Sequence, residues 1–353
     1  MRDISCHVQE IQLGVVCMWI NTSGINVGAD LQEHQWSSTS TVDSLTNNRR
    51  HEVVGASLTV GPRPRRHRLL TMLLFPEAAA NDGLMVCYYG SWAVYRRGNG
   101  KFDVEAIDPA ICTHLMFGFA GLGSDNKIKC AYNRFTALKA RNTNLVTILA
   151  VGGWNEGSPK YSTMSSSAST RKIFVDSSIE LLKEHNFDGL DMDWEYPTQR
   201  GGKPEDKVNF ISLLSDLSTA LHANNMILTA AVSAGKLTID PAYDIPGMAK
   251  HLDIVNLMAY DLHGAWDPYT HHQSGLYQYP DDTGDNVYLN QDFAVRYWID
   301  GGMPSTKIVL GVPLYGRCWK LDSNTEEHGY YAPARNPGPA GPYTRTPGFL
   351  GYN

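Results

Sequence analysis

Three acidic residues occupy alternate positions, Asp191, Asp193 and Glu195, within the run Asp188-Gly-Leu-Asp-Met-Asp-Trp-Glu195-Tyr-Pro197. A strand alternates its side chains, so this spacing directs all three carboxyls to one face, successive Cα atoms on that face being about 6.5 Å apart. Carboxylates crowded in an apolar interior cannot all ionise, and at least one pKa must rise. A raised carboxyl pKa is what a general acid near neutral pH requires. The same spacing also fits a solvated acidic strand end or a hard-cation site, because such cations favour clustered oxygens. Context favours the acid: Trp194 and Tyr196 interleave the carboxyls, Pro197 ends the strand, and barrel enzymes keep their chemistry at the C-terminal ends of strands.

The elements around this run are those of a parallel sheet. From Leu84 onward, short runs rich in β-branched and aromatic residues alternate with longer segments of helical period, the pattern of repeated βα units. The expected strands are Met85 to Trp92, His114 to Leu122, Leu145 to Trp154, Gly189 to Tyr196, Met226 to Ser233, Ile254 to Asp261 and Lys307 to Arg317. Thr170 to His185 and Pro204 to Asn224 read as helices, the second carrying Phe210, Leu214, Leu217 and Leu221 on one face. Seven such repeats predict an α/β fold, a TIM (β/α)8 barrel that is incomplete, with about seven of its eight strands. A doubly wound sheet would more often stop at five or six. Lys320 to Asn353, rich in Pro, Gly and Tyr, reads as loop or as the start of an α+β insertion subdomain.

The chain has 353 residues, 42% hydrophobic and 19% charged, which suffices for one large core or two modest ones. A net charge of -6 gives no reason to expect nucleic acid or an anionic membrane as partner, and no apolar run approaches the ~20 residues that span a bilayer. The six cysteines, at 6, 17, 87, 112, 130 and 318, form no C-x-x-C pair and no zinc-type spacing with histidine. No metal and no cofactor are expected, and the cysteine pattern alone leaves disulfides open. Residues 1–83 lack sustained periodicity and receive no fold. Within them, the basic cluster Arg63 to Arg68, the apolar Leu69 to Phe75 and the small residues through Ala80 follow the order of a secretory signal. Either the chain starts near Met72, or this segment is a linker with an apolar run.

The acidic run resembles the DGxDxDWEYP signature of family 18 glycoside hydrolases. Cys87-Tyr-Tyr-Gly-Ser-Trp92, Cys112-Thr-His-Leu115, Gly152-Gly-Trp154, Met258-Ala-Tyr-Asp261 and Tyr315-Gly-Arg317 follow in the family's order on successive strand ends. The likeness covers about 270 residues, from 84 to 353, and its phrasing is most similar to arthropod chitinases.

That resemblance implies a chitinase acting on β-1,4-linked N-acetylglucosamine polymers by a substrate-assisted, retaining mechanism. Glu195 would be acid and base, Asp193 the partner of the acetamido group, Asp191 the residue sharing its proton, and Tyr260 the donor to the acetamido oxygen. Tyr88, Trp92, Phe119, Trp154, Met258, Asp261, Trp266 and Arg317 would line the cleft, although a single tryptophan is more often ordinary packing. Cys87 and Cys112 occupy positions that the family joins by a disulfide, which implies secretion to an extracellular, oxidising compartment. Cys130 and Cys318 have no named partner, Cys318 pairing either with nothing or beyond the chain. The expected partners are chitin and chitooligosaccharides, with a monomeric protein. A non-catalytic chitooligosaccharide-binding lectin is the alternative, disfavoured because such relatives commonly lose the acid glutamate. The family's eighth strand, with a tryptophan under the reacting sugar, and most of the α+β insertion are absent. Two open barrel edges and little or no turnover by the 353-residue chain are therefore expected.

Overall fold

A computed structural model of the chain describes residues 4–7, 17–21, 83–129, 134–323 and 328–351. Seven strands run parallel in chain order: β3 (Met85–Gly90), β4 (His114–Leu122), β6 (Val146–Gly152), β7 (Gly189–Asp193), β8 (Ile227–Ser233), β9 (Ile254–Met258) and β10 (Ile308–Pro313). The short β5 (Ile128–Lys129) folds back on β4. Helices α1 (Pro159–Ser165), α2 (Ala168–Glu184), α3 (Asp206–His222), α4 (Lys236–Ala242), α5 (Ile245–Met248) and α6 (Gln291–Asp300) intervene between strands. Every expected strand and both expected helices are present, with ends shifted by a few residues.

The sequence expectation left two barrel edges open, and the structure differs. β2 (Cys17–Asn21), from the segment left without a fold, pairs antiparallel with both β3 and β10. With β3 also paired to β4, the strand order β3-β2-β10-β9-β8-β7-β6-β4 closes into a ring. An edge strand needs partners for its free N–H and C=O groups, and an antiparallel neighbour satisfies them as well as a parallel one. The segment containing the secretory-type run lies outside the described residues.

The expected last strand is two strands. β10 ends at Pro313, and β11 (Tyr315–Leu321) leaves the barrel to join a second sheet with β1 (Ile4–His7), β12 (Ala334–Pro337) and β13 (Phe349–Gly351). The tail, read as loop or as the start of an insertion subdomain, is thus partly sheet. Proline at the end of β10 cannot donate to a ladder, which makes it a natural break. Cys318, buried in β11, stands directly opposite Cys6 in the ladder between β1 and β11, while Cys130 lies outside the described residues.

β7 is buried throughout, and its alternation sorts it into two sets. Leu190 and Met192 are fully buried apolar residues, whereas Asp191 and Asp193 form the polar set. Leu213 joins Phe210, Leu214, Leu217 and Leu221 on the buried stripe of α3. Ser167 caps α2 by accepting from the Thr170 N–H at 3.2 Å, and Asn290 caps α6 from the Phe293 N–H at 2.8 Å.

A disulfide joins Cys87 on β3 to Cys112 just before β4, across 25 residues. A loop of that size stabilises by about 3.5 kcal/mol in the chain-entropy account. Reduction is therefore expected to lower the unfolding temperature by several degrees, read by calorimetry with and without a thiol reductant.

Candidate active site

Asp191 sits at the centre of the barrel with no exposed surface. Its Oδ2 accepts from the Tyr88 hydroxyl at 2.8 Å, and its Oδ1 accepts from the Thr229 hydroxyl at 2.5 Å and from Asn256 Nδ2 at 3.1 Å. Asn256 Nδ2 also donates to the Tyr88 oxygen at 2.9 Å. Strand register explains the convergence: Thr229 is the direct neighbour of Asp191 across β7 and β8, and Asn256 pairs with Ala231 one strand further on. Burial raises the Asp191 pKa, and the three donors oppose that rise because they favour the anion.

Asp193, one alternation further along, is also buried, but its Oδ1 has no hydrogen-bond partner. Burial pushes its pKa well above the ordinary range, and the charges of Glu195 and Asp191 push in the same direction. The two carboxyls therefore differ in surroundings: Asp191 is rich in donors, and Asp193 has an unpartnered Oδ1.

β7 ends at Asp193, so Glu195 lies two residues past the strand and not within it, where the expected strand to Tyr196 had placed it. Its pKa rises to about 7, chiefly from burial and further from the charge of Asp261, while a hydrogen bond with Tyr196 and the Arg200 charge act downward. Repulsion along the acidic row is therefore not the main cause; exclusion of water is.

Backbone approach fixes the site from the neighbouring strand. Gly152 has φ +120°, and a Cβ there would stand 2.0 Å from the Asp193 carbonyl oxygen. Only glycine allows this, and the next amide, Gly153 N–H, donates to that same oxygen at 2.9 Å. Trp194, by contrast, faces outward: it is buried against Tyr161 and Phe210, and its Nε1–H donates to Ser158 Oγ at 3.0 Å.

The expected cleft residues fall into several contact groups. Trp92 stacks on Phe119 with ring centroids 6.1 Å apart, and Phe119 borders Gly153 ahead of Trp154. Trp92, Trp154 and Trp266 are 42%, 60% and 59% exposed, far from the burial of ordinary core tryptophans. Arg317 donates from Nε to Asp261 at 2.7 Å, and its guanidinium carbon is 5.2 Å from the Trp266 ring centroid. Tyr260, two residues past β9, packs edge-on against Tyr315 at 6.0 Å. Met258 is the half-buried last residue of β9. Thr229, Asn256, Tyr196 and Arg200 were not among the expected residues. Asn256 could have been found as the single polar residue of the otherwise apolar β9, and Thr229 as one of two polar residues in the same alternation of β8; Arg200 carries no such signal.

Similarity to known proteins agrees with this geometry. The chain is 37% identical over 297 residues to mouse chitotriosidase-1, covering 80% of this chain and 63% of that protein, so it spans less than two thirds of the relative. The Ostrinia furnacalis Group IV chitinase solved with allosamidin shares 40% identity and a TM-score of 0.73, covering 76% of this chain and 75% of that one. Human YKL-39, described as a pseudo-chitinase with retained chitooligosaccharide binding, shares 39% identity and a TM-score of 0.71, over 76% of each chain. The pattern of the glycosyl hydrolases family 18 matches residues 84–353, the stretch that builds the seven parallel strands and every carboxyl of the site, and the chain belongs to that family.

Proposed function

We propose that this chain carries the catalytic barrel of a chitinase, which hydrolyses β-1,4 bonds between N-acetylglucosamine units with retention at the anomeric carbon. The carrying observation is the pairing of a buried glutamic acid with a pKa of about 7 and an adjacent buried aspartic acid whose Oδ1 is unpartnered. Glu195 gives its proton to the glycosidic oxygen as the bond to the anomeric carbon breaks. The substrate's own acetamido oxygen forms the new bond, making an oxazolinium ion, so no second protein nucleophile is needed. Asp193 turns to accept from the acetamido N–H and releases its proton toward Asp191, so that negative charge faces the developing positive charge. Tyr260 holds the acetamido oxygen for attack. Glu195, now a base, takes a proton from the water that opens the ring, which restores the acid. The exposed tryptophans supply flat apolar faces on which sugar rings stack.

Glu195 must enter the reaction protonated, so kcat/KM is expected to fall as pH rises through about 7. A pH–rate profile on a fluorogenic chitooligosaccharide measures this, and a flat profile from pH 6 to 9 would contradict it.

The lectin reading has support from YKL-39, a pseudo-chitinase with retained chitooligosaccharide binding that is similar across the same barrel. Glu195 and its raised pKa favour the enzyme. The deciding experiment incubates the protein with chitopentaose and follows products by mass and anomeric configuration. Shorter oligomers with the β anomer first support the proposal; intact oligomer with measurable binding, both from this chain and from one carrying the family's eighth strand with its tryptophan, overturns it in favour of the lectin. The disulfide Cys87–Cys112 supports secretion, and among the described residues no helix is long and apolar enough to cross a membrane.

A further inference from the structure

We propose that Arg200 is a positioning residue, which clamps the exposed ring of Trp154 beside Glu195 and so fixes one sugar-stacking platform relative to the acid; this rests on the chitinase reading of the site. The Arg200 guanidinium carbon lies 3.5 Å from the centre of the Trp154 ring, a distance that requires it to stack on one face of the indole. The same group donates from Nη1 to the Glu195 carbonyl oxygen at 3.0 Å. One side chain therefore ties the platform that follows β6 to the acid that follows β7.

The backbone around it is built to present that side chain. Arg200 has φ +52° and Thr198 has φ +69°, a region that residues other than glycine enter only at a cost. The turn is held despite that cost. Ser158 N–H donates to the Arg200 carbonyl at 3.3 Å, and Gln199 and Gly202 continue the turn through 3.0 and 2.9 Å bonds. Fully buried Asp206 anchors its far end, accepting from Ser162 Oγ at 2.7 Å and from the Lys203 N–H at 2.7 Å. A turn needed only to leave the barrel could carry glycine at position 200.

Trp154 is 60% exposed, so without the clamp its ring has little else to hold its rotamer. A sugar must then order the ring as it binds, which weakens ground-state and transition-state binding alike. The charge has a separate effect, because Arg200 acts to lower the Glu195 pKa.

Arg200→Ala is expected to raise KM for chitotetraose about three- to tenfold with kcat within about twofold, and to move the alkaline limb of the pH profile upward. Arg200→Lys restores the limb but not KM, since a flexible ammonium lacks the planar face that stacks on indole. Trp154→Ala raises KM by itself, and adding Arg200→Ala to it brings no further rise, as expected of two residues acting as one unit. Additive effects, or an unchanged KM in Arg200→Ala, overturn the proposal. A readout without substrate separates this inference from the chitinase reading. In protein labelled with 5-fluorotryptophan, the Trp154 resonance, assigned with Trp154→Phe, is single in the unmodified protein and shifts and broadens in Arg200→Ala. An unmoved resonance overturns the clamp whether or not any chitooligosaccharide is cleaved, whereas absent cleavage with a moved resonance overturns only the chitinase reading.

Discussion

Replacing Glu195 by Gln lowers kcat on chitooligosaccharides by about 10²- to 10⁴-fold, the span removed with a positioned general acid, and leaves chitotetraose binding in place. Gln keeps the shape of the protonated carboxyl and its capacity to donate a hydrogen bond, so the ground-state complex loses little. What it lacks is a transferable proton for the leaving oxygen and, later, a base for water. The substitution also carries a stability signature. The folded-state pKa of Glu195 lies at about 7, above the ordinary value of 4.5, so the native protein holds this proton more tightly than the unfolded chain does. The native state is therefore favoured fully below about pH 4.5 and loses that advantage as pH rises to about 7, by at most about 3 kcal/mol. Glu195→Gln has no charge to bury and escapes the loss. Its unfolding temperature should match that of the unmodified protein near pH 4 and exceed it at pH 8, which paired thermal melts at the two values will read. Hydrolysis at an undiminished rate by the Gln variant would remove the acid from the mechanism altogether.

Asp193→Asn is expected to lower kcat by about 10²- to 10³-fold, comparable to losing a donor or charge aimed at a reacting centre, with a much smaller change in KM. Burial and the neighbouring Glu195 and Asp191 raise the Asp193 pKa, and its Oδ1 lacks a partner, whereas three donors oppose the rise at Asp191. An asparagine matches a protonated carboxyl in size and polarity. It fails when positive charge develops on the acetamido group, since the amide cannot become an anion. Steady-state kinetics beside isothermal titration of chitotetraose into the double variant with Glu195→Gln separates these effects. A kcat within threefold of the unmodified enzyme would mean that Asp191 alone stabilises the intermediate.

Both experiments probe a site that was legible in outline from the chain. The alternation of Asp191 and Asp193 placed two acids on one face, and β7 puts that face inside the barrel. The expected strand ran on to Tyr196, whereas β7 ends at Asp193, and Glu195 beyond it owes its raised pKa mainly to burial. Strand alternation is a property of neighbours in sequence and stops with the strand, whereas burial depends on what the rest of the fold lays over the group.

The order of apolar strands and amphipathic helices, together with the type and spacing of the acids, was determined by the sequence itself, because those signals lie within a few residues and need no partner from afar. Only the tertiary structure decided which donors meet Asp191. Tyr88, Thr229 and Asn256 stand 103, 38 and 65 residues from it, and strand register alone brings them within hydrogen-bond reach. Barrel closure was likewise decided there, through a strand at residues 17–21 that carries no pattern of its own and gains its conformation from the two edges it joins. The clamp of Arg200 on Trp154 has the same origin: 46 positions separate the two in the chain, and adjacent strand ends place them in contact.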